Sequence, residues 1–295
     1  MTTSKEFESA LLAANNLLKQ GSLVKAERAY RQQLSKGEHR ESVLQSLFDF
    51  YLNSGRPQQA IQTLIALIDE VPDSLTYHAH LANLLRGVGQ PEVAVGYYER
   101  LVERYPDLAD GHFSLALLLK QSLRYHEALK SYEKALEIGI DNVQEVYSNI
   151  GVLYSDMRDA EKAEEMYQRA LEVDSGYEPA LFNLAGLFEE AGDRQGAIEL
   201  YNRILSGNAS HWDSLARLAQ ATTLSDPQDP MIERLQKAIV EAGDDAIARE
   251  TLGFALGQCL DEVGRYDEAF AASGAANALG RQRSRPHDRA ASKQG

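Results

Sequence analysis

The chain has few of the residues that support disulfide-stabilised or membrane-spanning folds. It has one cysteine in 295 residues, Cys259, so no intrachain disulfide can form and a reducing compartment is favoured. Only eight residues are proline, which leaves long stretches free to form helices. Apolar runs such as Leu115–Leu119 are far shorter than the ~20 residues that span a bilayer.

A secretion signal is also missing from the sequence. The first eighteen residues contain no basic segment followed by an unbroken apolar stretch, which is the pattern of a signal peptide. Together with the single cysteine, this predicts a cytoplasmic protein without a membrane anchor.

Negative charge dominates the chain, whose formal net charge is −14 at pH 7. Residues 281–295 hold five basic side chains against one acidic side chain, a net of +4, so residues 1–280 carry −18. An acidic body repels phosphate backbones, so we expect it to have no nucleic-acid partner. We predict that residues 281–295 form a basic, disordered tail.

Motifs of the common enzyme classes are lacking as well. The sequence has no glycine-rich phosphate loop, no His-Glu-x-x-His, no Cys-x-x-Cys and no Gly-x-Ser-x-Gly. His78, His80 and His112 could approach one another as metal ligands, but ordinary packing or surface positions are the favoured interpretation. We therefore predict no catalytic residue, no metal and no cofactor.

A regular repeat is the strongest feature of the sequence. A phrase such as EALKSYEKALEI recurs along the chain, and one small residue marks each copy. The marker residues are spaced by 34, 34, 34, 35 and 34 residues, and a further copy follows after 72. They are Ala26, Ala60, Ala94, Ala128, Ala163, Ala197 and Ala269.

Alignment on this period shows three recurring positions, numbered from the start of each repeat. Position 8 is small in Ala14, Ala82, Ala116, Gly151, Ala185, Ala219 and Gly257. Position 24 is aromatic in Tyr30, Tyr98, Tyr132, Tyr167 and Tyr201. Position 15 is the turn residue Gly21, Gly55, Gly89, Gly192 and Gly264. Small residues let two helices approach closely, and glycine reaches the positive φ that a tight bend needs.

Some repeats depart from the pattern. Leu123 and Arg158 replace the turn glycine, so we expect those two turns to close differently. Ser273 stands where an aromatic residue is expected, which predicts a loosely packed last repeat. In the seventh repeat, Asp229-Pro230 predicts a capped helix from about 231 to 242 that stops near Gly243.

The 34-residue period and these positions resemble the tetratricopeptide-repeat family. The resemblance implies an all-α fold, a right-handed superhelical solenoid of about eight helix–turn–helix repeats over residues 7–280. Neighbouring repeats would bury each other's apolar stripes. The predicted repeats are 7–40, 41–74, 75–108, 109–143, 144–177, 178–211, a divergent 212–249, and 250–280.

The resemblance also implies a concave groove lined by positions 5, 6, 9, 12 and 13 of the first helices. Amides and charges of both signs at these positions suit an extended peptide, although a polar face without a ligand is the alternative. We therefore predict a non-catalytic, monomeric scaffold for a protein or peptide partner. The candidate groove residues are Asp49, Asn83, Arg86, Phe113, Lys120, Asn149, Asp156, Asn183, Glu190 and Arg217.

A second resemblance concerns the C-terminal repeats. Residues 217–288, with the Asp-Pro-Gln-Asp-Pro loop and the run GRYDEAF, are similar to the last repeats of bacterial proteins in which such an array precedes a sulfotransferase domain. That domain would open with a strand and a loop that grips the donor's 5′-phosphosulfate, and neither is found in this sequence. The alternative function is therefore an accessory part of a sulfotransferase, without activity of its own.

Overall fold

The fold is entirely helical in the computed structural model, which describes residues 4–291. Over this range there are sixteen α-helices and no strand, so the predicted fold class is confirmed. The chain divides into two compact units, residues 1–141 and 142–295. Among the described residues, the helices are all too short or too polar to cross a membrane.

Unit 1 is built from paired helices. Each second helix packs on the first helix of its own hairpin, and the first three second helices also contact the first helix of the next hairpin. Neighbouring hairpins within unit 1 therefore cover each other's apolar faces. The helices are α1 (Ser4–Lys19), α2 (Leu23–Leu34), α3 (Arg40–Asn53), α4 (Pro57–Glu70), α5 (Leu75–Gly87), α6 (Pro91–Arg104), α7 (Ala109–Gln121) and α8 (Tyr125–Ile138). Pro57 and Pro91 open α4 and α6, as the sequence predicts, because the first turn needs no N–H donor.

Unit 2 continues the hairpin pattern around one core. Its buried residues form a continuous cluster between Ala163 and Ala269, to which all the helices from α10 onward contribute. The helices are α9 (Val143–Asp156), α10 (Ala160–Val173), α11 (Glu178–Ala191), α12 (Arg194–Gly207), α13 (Trp212–Ala221), α14 (Pro230–Glu241), α15 (Ala246–Glu262) and α16 (Tyr266–Ala291).

The position-24 tyrosines are buried, and Tyr167 packs against the small position-8 residue of its own hairpin. All five position-24 tyrosines are at most 3% exposed. At Gly151, an added Cβ atom would lie 2.5 Å from the Cε1 atom of the Tyr167 ring, so only glycine fits there. The small residue at position 8 therefore determines how closely α9 and α10 approach.

The turns at Leu123 and Arg158 close like the glycine turns, so the expectation of different turns is wrong. Leu123 has φ 60° and Arg158 has φ 65°, close to the 66° of Gly55 and the 76° of Gly89. The Leu123 N–H donates to Lys120 O at 2.9 Å, as the Gly89 N–H donates to Arg86 O at 3.0 Å. Packing of the two flanking helices imposes this turn and overrides the steric preference of an L-residue.

The seventh repeat has the predicted helix ends but an unexpected packing. The Asp229 side chain accepts a hydrogen bond from the Met231 N–H at 2.9 Å, and α14 stops just before Gly243, whose φ is 55°. These features confirm the predicted cap and stop. However, α13 packs more extensively on α15 than on α14, because a long loop separates α13 from α14.

The last hairpin is closely packed, so the expectation of loose packing is wrong. Ser273 lies against Gly257, where an added Cβ atom would come within 2.3 Å of the serine Oγ. A small residue on α15 therefore compensates for the missing aromatic side chain on α16. The last helix ends at Ala291, and Arg283 pairs with Glu250 at 3.0 Å. The disordered tail over residues 281–295 stays a prediction from the sequence. Residues 292–295 lie outside the described part of the chain.

Replacement of Leu123 by glycine is expected to stabilise the protein by up to about 1 kcal/mol. A left-handed L-residue costs about 1–2 kcal/mol, and the extra unfolded-state entropy of glycine offsets about 0.5–1 kcal/mol of that. Little packing is lost, because the leucine is 71% exposed. Urea unfolding measures the change, with Gly89→Ala as a matched control that should destabilise. A less stable Leu123→Gly variant would contradict the turn argument.

Replacement of Gly151 by alanine is expected to destabilise the protein by about 1–3 kcal/mol, because the new methyl group overlaps the Tyr167 ring. The control is Gly186→Ala in α11, where no atom lies within 4 Å of an added Cβ. That change should instead stabilise by about 0.5–1 kcal/mol through helix propensity. Thermal unfolding of the two variants should shift in opposite directions, and equal shifts would refute the close-packing argument.

Candidate functional site

The candidate site in unit 1 is the unit-1 face, the polar surface of the first helices α3, α5 and α7. Asn83 and Arg86 line a cavity of about 160 Å³ together with Tyr98, Ser114 and Gln121. The Arg86 Nη1 donates to the Oε1 atom of Gln121 at 3.1 Å and so links α5 to α7. Ser114 hydrogen-bonds to the Tyr98 hydroxyl, while burial raises the pKa of Tyr98. The cavity therefore presents an amide, a cation and hydroxyl groups.

The other predicted residues of the unit-1 face lie outside this cavity. Asp49 is exposed on α3. Burial raises the pKa of Tyr30, and the Asp49 charge raises it further. Phe113 packs on Tyr132, with ring centroids 5.7 Å apart, and is therefore partly a core residue. Lys120 is half-buried and does not line the cavity. The structure thus brings Asn83 and Arg86 together and separates the remaining three.

The candidate site in unit 2 is the unit-2 face, the polar surface of α9, α11 and α13. Asn149 lies on α9 and Asn183 on α11, and these two helices contact each other. Both asparagines are half-buried, and neither side chain hydrogen-bonds to another described residue. Two amide groups, one repeat apart, are therefore free to bind a ligand.

Carboxylates also lie on the unit-2 face. Burial raises the pKa of Tyr167, and the nearby charges of Asp156 and Glu190 raise it further. The Arg217 Nη1 lies 3.2 Å from the Oε2 atom of Glu189, so the arginine is already paired. Negative charge therefore prevails on this face.

The tyrosine hydroxyl groups belong to these faces, which the sequence reasoning missed. The position-24 tyrosines are buried, yet Tyr98 hydrogen-bonds to Ser114, and the Tyr167 hydroxyl lies 3.4 Å from the Ser155 Oγ. Burial raises the pKa of Tyr201. The charge of Glu189, which hydrogen-bonds to Tyr201, raises that pKa further. The signal in the sequence was the use of tyrosine rather than phenylalanine, since a buried hydroxyl needs a partner.

The three histidines occupy packing positions. The Nε2 atom of His78 lies 3.0 Å from Pro72 O, and that of His112 lies 3.0 Å from Pro106 O. His80 packs on Phe48 with ring centroids 5.5 Å apart. Among the described residues there is no group of three or more His, Cys, Asp or Glu side chains that could hold a metal ion.

Family comparison decides the identity of the repeats. Three family models described as tetratricopeptide repeat match residues 17–84, 80–108, 107–176 and 142–208. The chain belongs to the tetratricopeptide-repeat family. These matches confirm the resemblance on which the repeat positions were numbered. No curated protein has a sequence significantly similar to that of this chain.

Solved structures, two of them of tetratricopeptide-repeat proteins, share the fold at low sequence identity. The C-terminal part of one from Cytophaga hutchinsonii is 13% identical, with 88% of this chain and 98% of that chain covered and a TM-score of 0.54. One from Parabacteroides merdae is 17% identical, with coverages of 85% and 93% and a TM-score of 0.51. Pseudomonas aeruginosa PilF is 19% identical, with coverages of 78% and 96% and a TM-score of 0.50. These identities establish the fold alone.

The sulfotransferase resemblance gains no support from these comparisons. The matched family models are all tetratricopeptide repeats, and the three structures named above are not described as sulfotransferases. The accessory role inferred for residues 217–288 therefore stays a prediction from the sequence.

Cys259 is expected to be unreactive in the folded protein. It is 1% exposed, and burial raises the pKa of its thiol to about 11. Roughly one thiol in a thousand is then ionised at pH 8, against about a quarter in an unfolded chain. Iodoacetamide should label the protein rapidly in denaturant and at least 100-fold more slowly without it. Comparable rates at pH 8 would contradict this burial.

Proposed function

We propose that the protein is a non-catalytic scaffold that binds an extended segment of a protein partner on the first-helix face of each unit. The observation that carries this proposal is the pair of free amides, Asn149 and Asn183, on the adjacent helices α9 and α11. An asparagine side chain has both an N–H donor and a C=O acceptor, which match the groups of a peptide backbone.

The size of the effect follows from ordinary hydrogen-bond energies. A net hydrogen bond contributes about 0.5–1.5 kcal/mol, so two asparagines that each engage the peptide contribute about 1–3 kcal/mol. That range corresponds to about a five- to 150-fold change in the dissociation constant. Loss of both amides should therefore be measurable even for a weak complex.

The charges of the unit-2 face indicate the chemistry of the partner. Asp156, Glu189 and Glu190 are carboxylates, and Arg217, the one arginine of the predicted set in unit 2, is paired to Glu189. Such a face attracts lysine and arginine side chains and repels acidic ones. We therefore expect the bound segment to be basic where it lies on unit 2.

The cavity of the unit-1 face supplies a separate contact in this proposal. Asn83 offers another free amide, because its side chain hydrogen-bonds to no other described residue. Arg86 adds a cation in the same cavity. This cavity suits a polar or acidic side chain of the partner.

The double variant Asn149→Ala, Asn183→Ala is expected to weaken peptide binding about tenfold without a change in stability. The probe is a set of extended peptides selected on the wild-type protein from a random library, with binding measured by fluorescence anisotropy. The matched control replaces Asn202 and Asn277, which are exposed on the second helices α12 and α16, with alanine. Wild-type affinity in the first variant would rule out the proposed amide contacts. Selected peptides rich in acidic residues would contradict the charge argument.

A further inference from the structure

Unit 1 contains a second cavity, of about 220 Å³, that shares no lining residue with the cavity of the unit-1 face. It lies between the C-terminal end of α4, the first turn of α5 and α6. Apolar side chains form part of its wall. Its polar and aromatic lining consists of Asp69, His78, Tyr97, Arg100, Arg104 and Tyr105.

Two arginines of this cavity are held in place but carry no ion pair. The Arg100 guanidinium carbon lies 4.5 Å from the centroid of the Tyr97 ring, and that of Arg104 lies 5.7 Å from the centroid of Tyr105. Neither guanidinium forms a salt bridge or a hydrogen bond with another described residue. Cation–π contacts use the faces of the guanidinium groups and leave their N–H edges free.

A buried polar atom belongs to the same cavity wall. His78 is 3% exposed, and its Nε2 lies 3.0 Å from Pro72 O. A carbonyl oxygen can only accept, so the hydrogen is on Nε2. The Nδ1 atom is buried without a hydrogen-bond partner. Such an atom is rare in folded proteins, and protonation of the ring would turn this acceptor into an N–H donor.

The charge balance of the cavity is positive in an otherwise acidic chain. Arg100 and Arg104 face one carboxylate, Asp69, which pairs with neither of them. Arginine binds carboxylate and phosphate through two parallel N–H donors. Uncompensated cations in a concave site are therefore suited to an oxyanion.

We propose that this cavity is an oxyanion-binding site in which Arg100 and Arg104 grip a carboxylate or a phosphate group. The site lies apart from the peptide-binding faces, so the proposal does not depend on the proposed function.

The pKa of His78 gives a readout of anion binding that is independent of calorimetry. The pKa of His78 is lowered, mainly by burial. The hydrogen bond to Pro72 raises this pKa, and the Arg100 charge lowers it. A bound anion offsets the arginine charge, so it should raise that pKa, and the anion should bind more tightly as the pH falls through the titration of His78. The charged or titratable groups facing the imidazole are Asp69, Tyr97, Tyr98, Arg100, Arg104 and Tyr105.

Calorimetric titration of the full chain with inorganic phosphate and with acetate, at constant ionic strength in chloride, tests the proposal. Arg100→Gln and Arg104→Gln should each weaken binding about tenfold. Arg28→Gln, an exposed arginine on α2 outside the cavity, should leave binding unchanged. Tighter binding of phosphate assigns the site to a phosphate group, and tighter binding of acetate assigns it to a carboxylate.

Two calorimetric results would overturn the proposal. One is the absence of binding by both anions, and the other is equal loss of affinity in Arg28→Gln and in the two cavity variants. Nuclear magnetic resonance of the His78 ring provides the second arm. The pKa of His78 should rise when the anion is added to the wild type and stay constant in Arg100→Gln. An unchanged pKa in the wild type at saturating anion would also contradict the site.

Discussion

The contact between a position-24 tyrosine and a small residue at position 8 is the constraint on which the rest of the structure depends. Its clearest example is the Tyr167 ring against Gly151, where no side-chain atom fits between them. This contact brings the two helices of a hairpin close enough to share a core, and the next hairpin then covers the remaining apolar surface. The same side chain extends its hydroxyl to the polar surface. Core packing therefore also places functional groups.

The two faces differ in chemistry because different polar residues surround these hydroxyls. In unit 2, Glu189 hydrogen-bonds to Tyr201, and the carboxylates of Asp156 and Glu190 near Tyr167 make the surface negative. Burial raises the pKa of both tyrosines, and these charges raise it further. In unit 1, Ser114 meets Tyr98 beside Arg86, and the cavity there is neutral to cationic. In the proposed function, these two surfaces select partner segments of different charge.

Periodicity predicted the helices well because it records which residues each helix buries. The helix starts at Pro57, Pro91 and Asp229 can be predicted from the sequence because these residues act locally. The Leu123 turn was not, because flanking helices impose its conformation. The match between Ser273 and Gly257 depends on a contact across two helices, which a single position does not reveal. Likewise, the pattern assigned Arg86 and Arg217 to the faces but did not identify their partners, Gln121 and Glu189.

The central claim is that neighbouring hairpins of unit 2 share one core, to which the buried Tyr167 contributes. Hydrogen–deuterium exchange of a Tyr167→Ala variant tests it most directly, with Tyr167→Phe as the control that removes only the hydroxyl group. The account predicts that Tyr167→Ala loses protection in α9 and α10, which flank the tyrosine. Protection should also fall in α11 and α12, because their buried residues form one cluster with those of α10. Loss of protection confined to α10, with α11 and α12 unchanged, would contradict it.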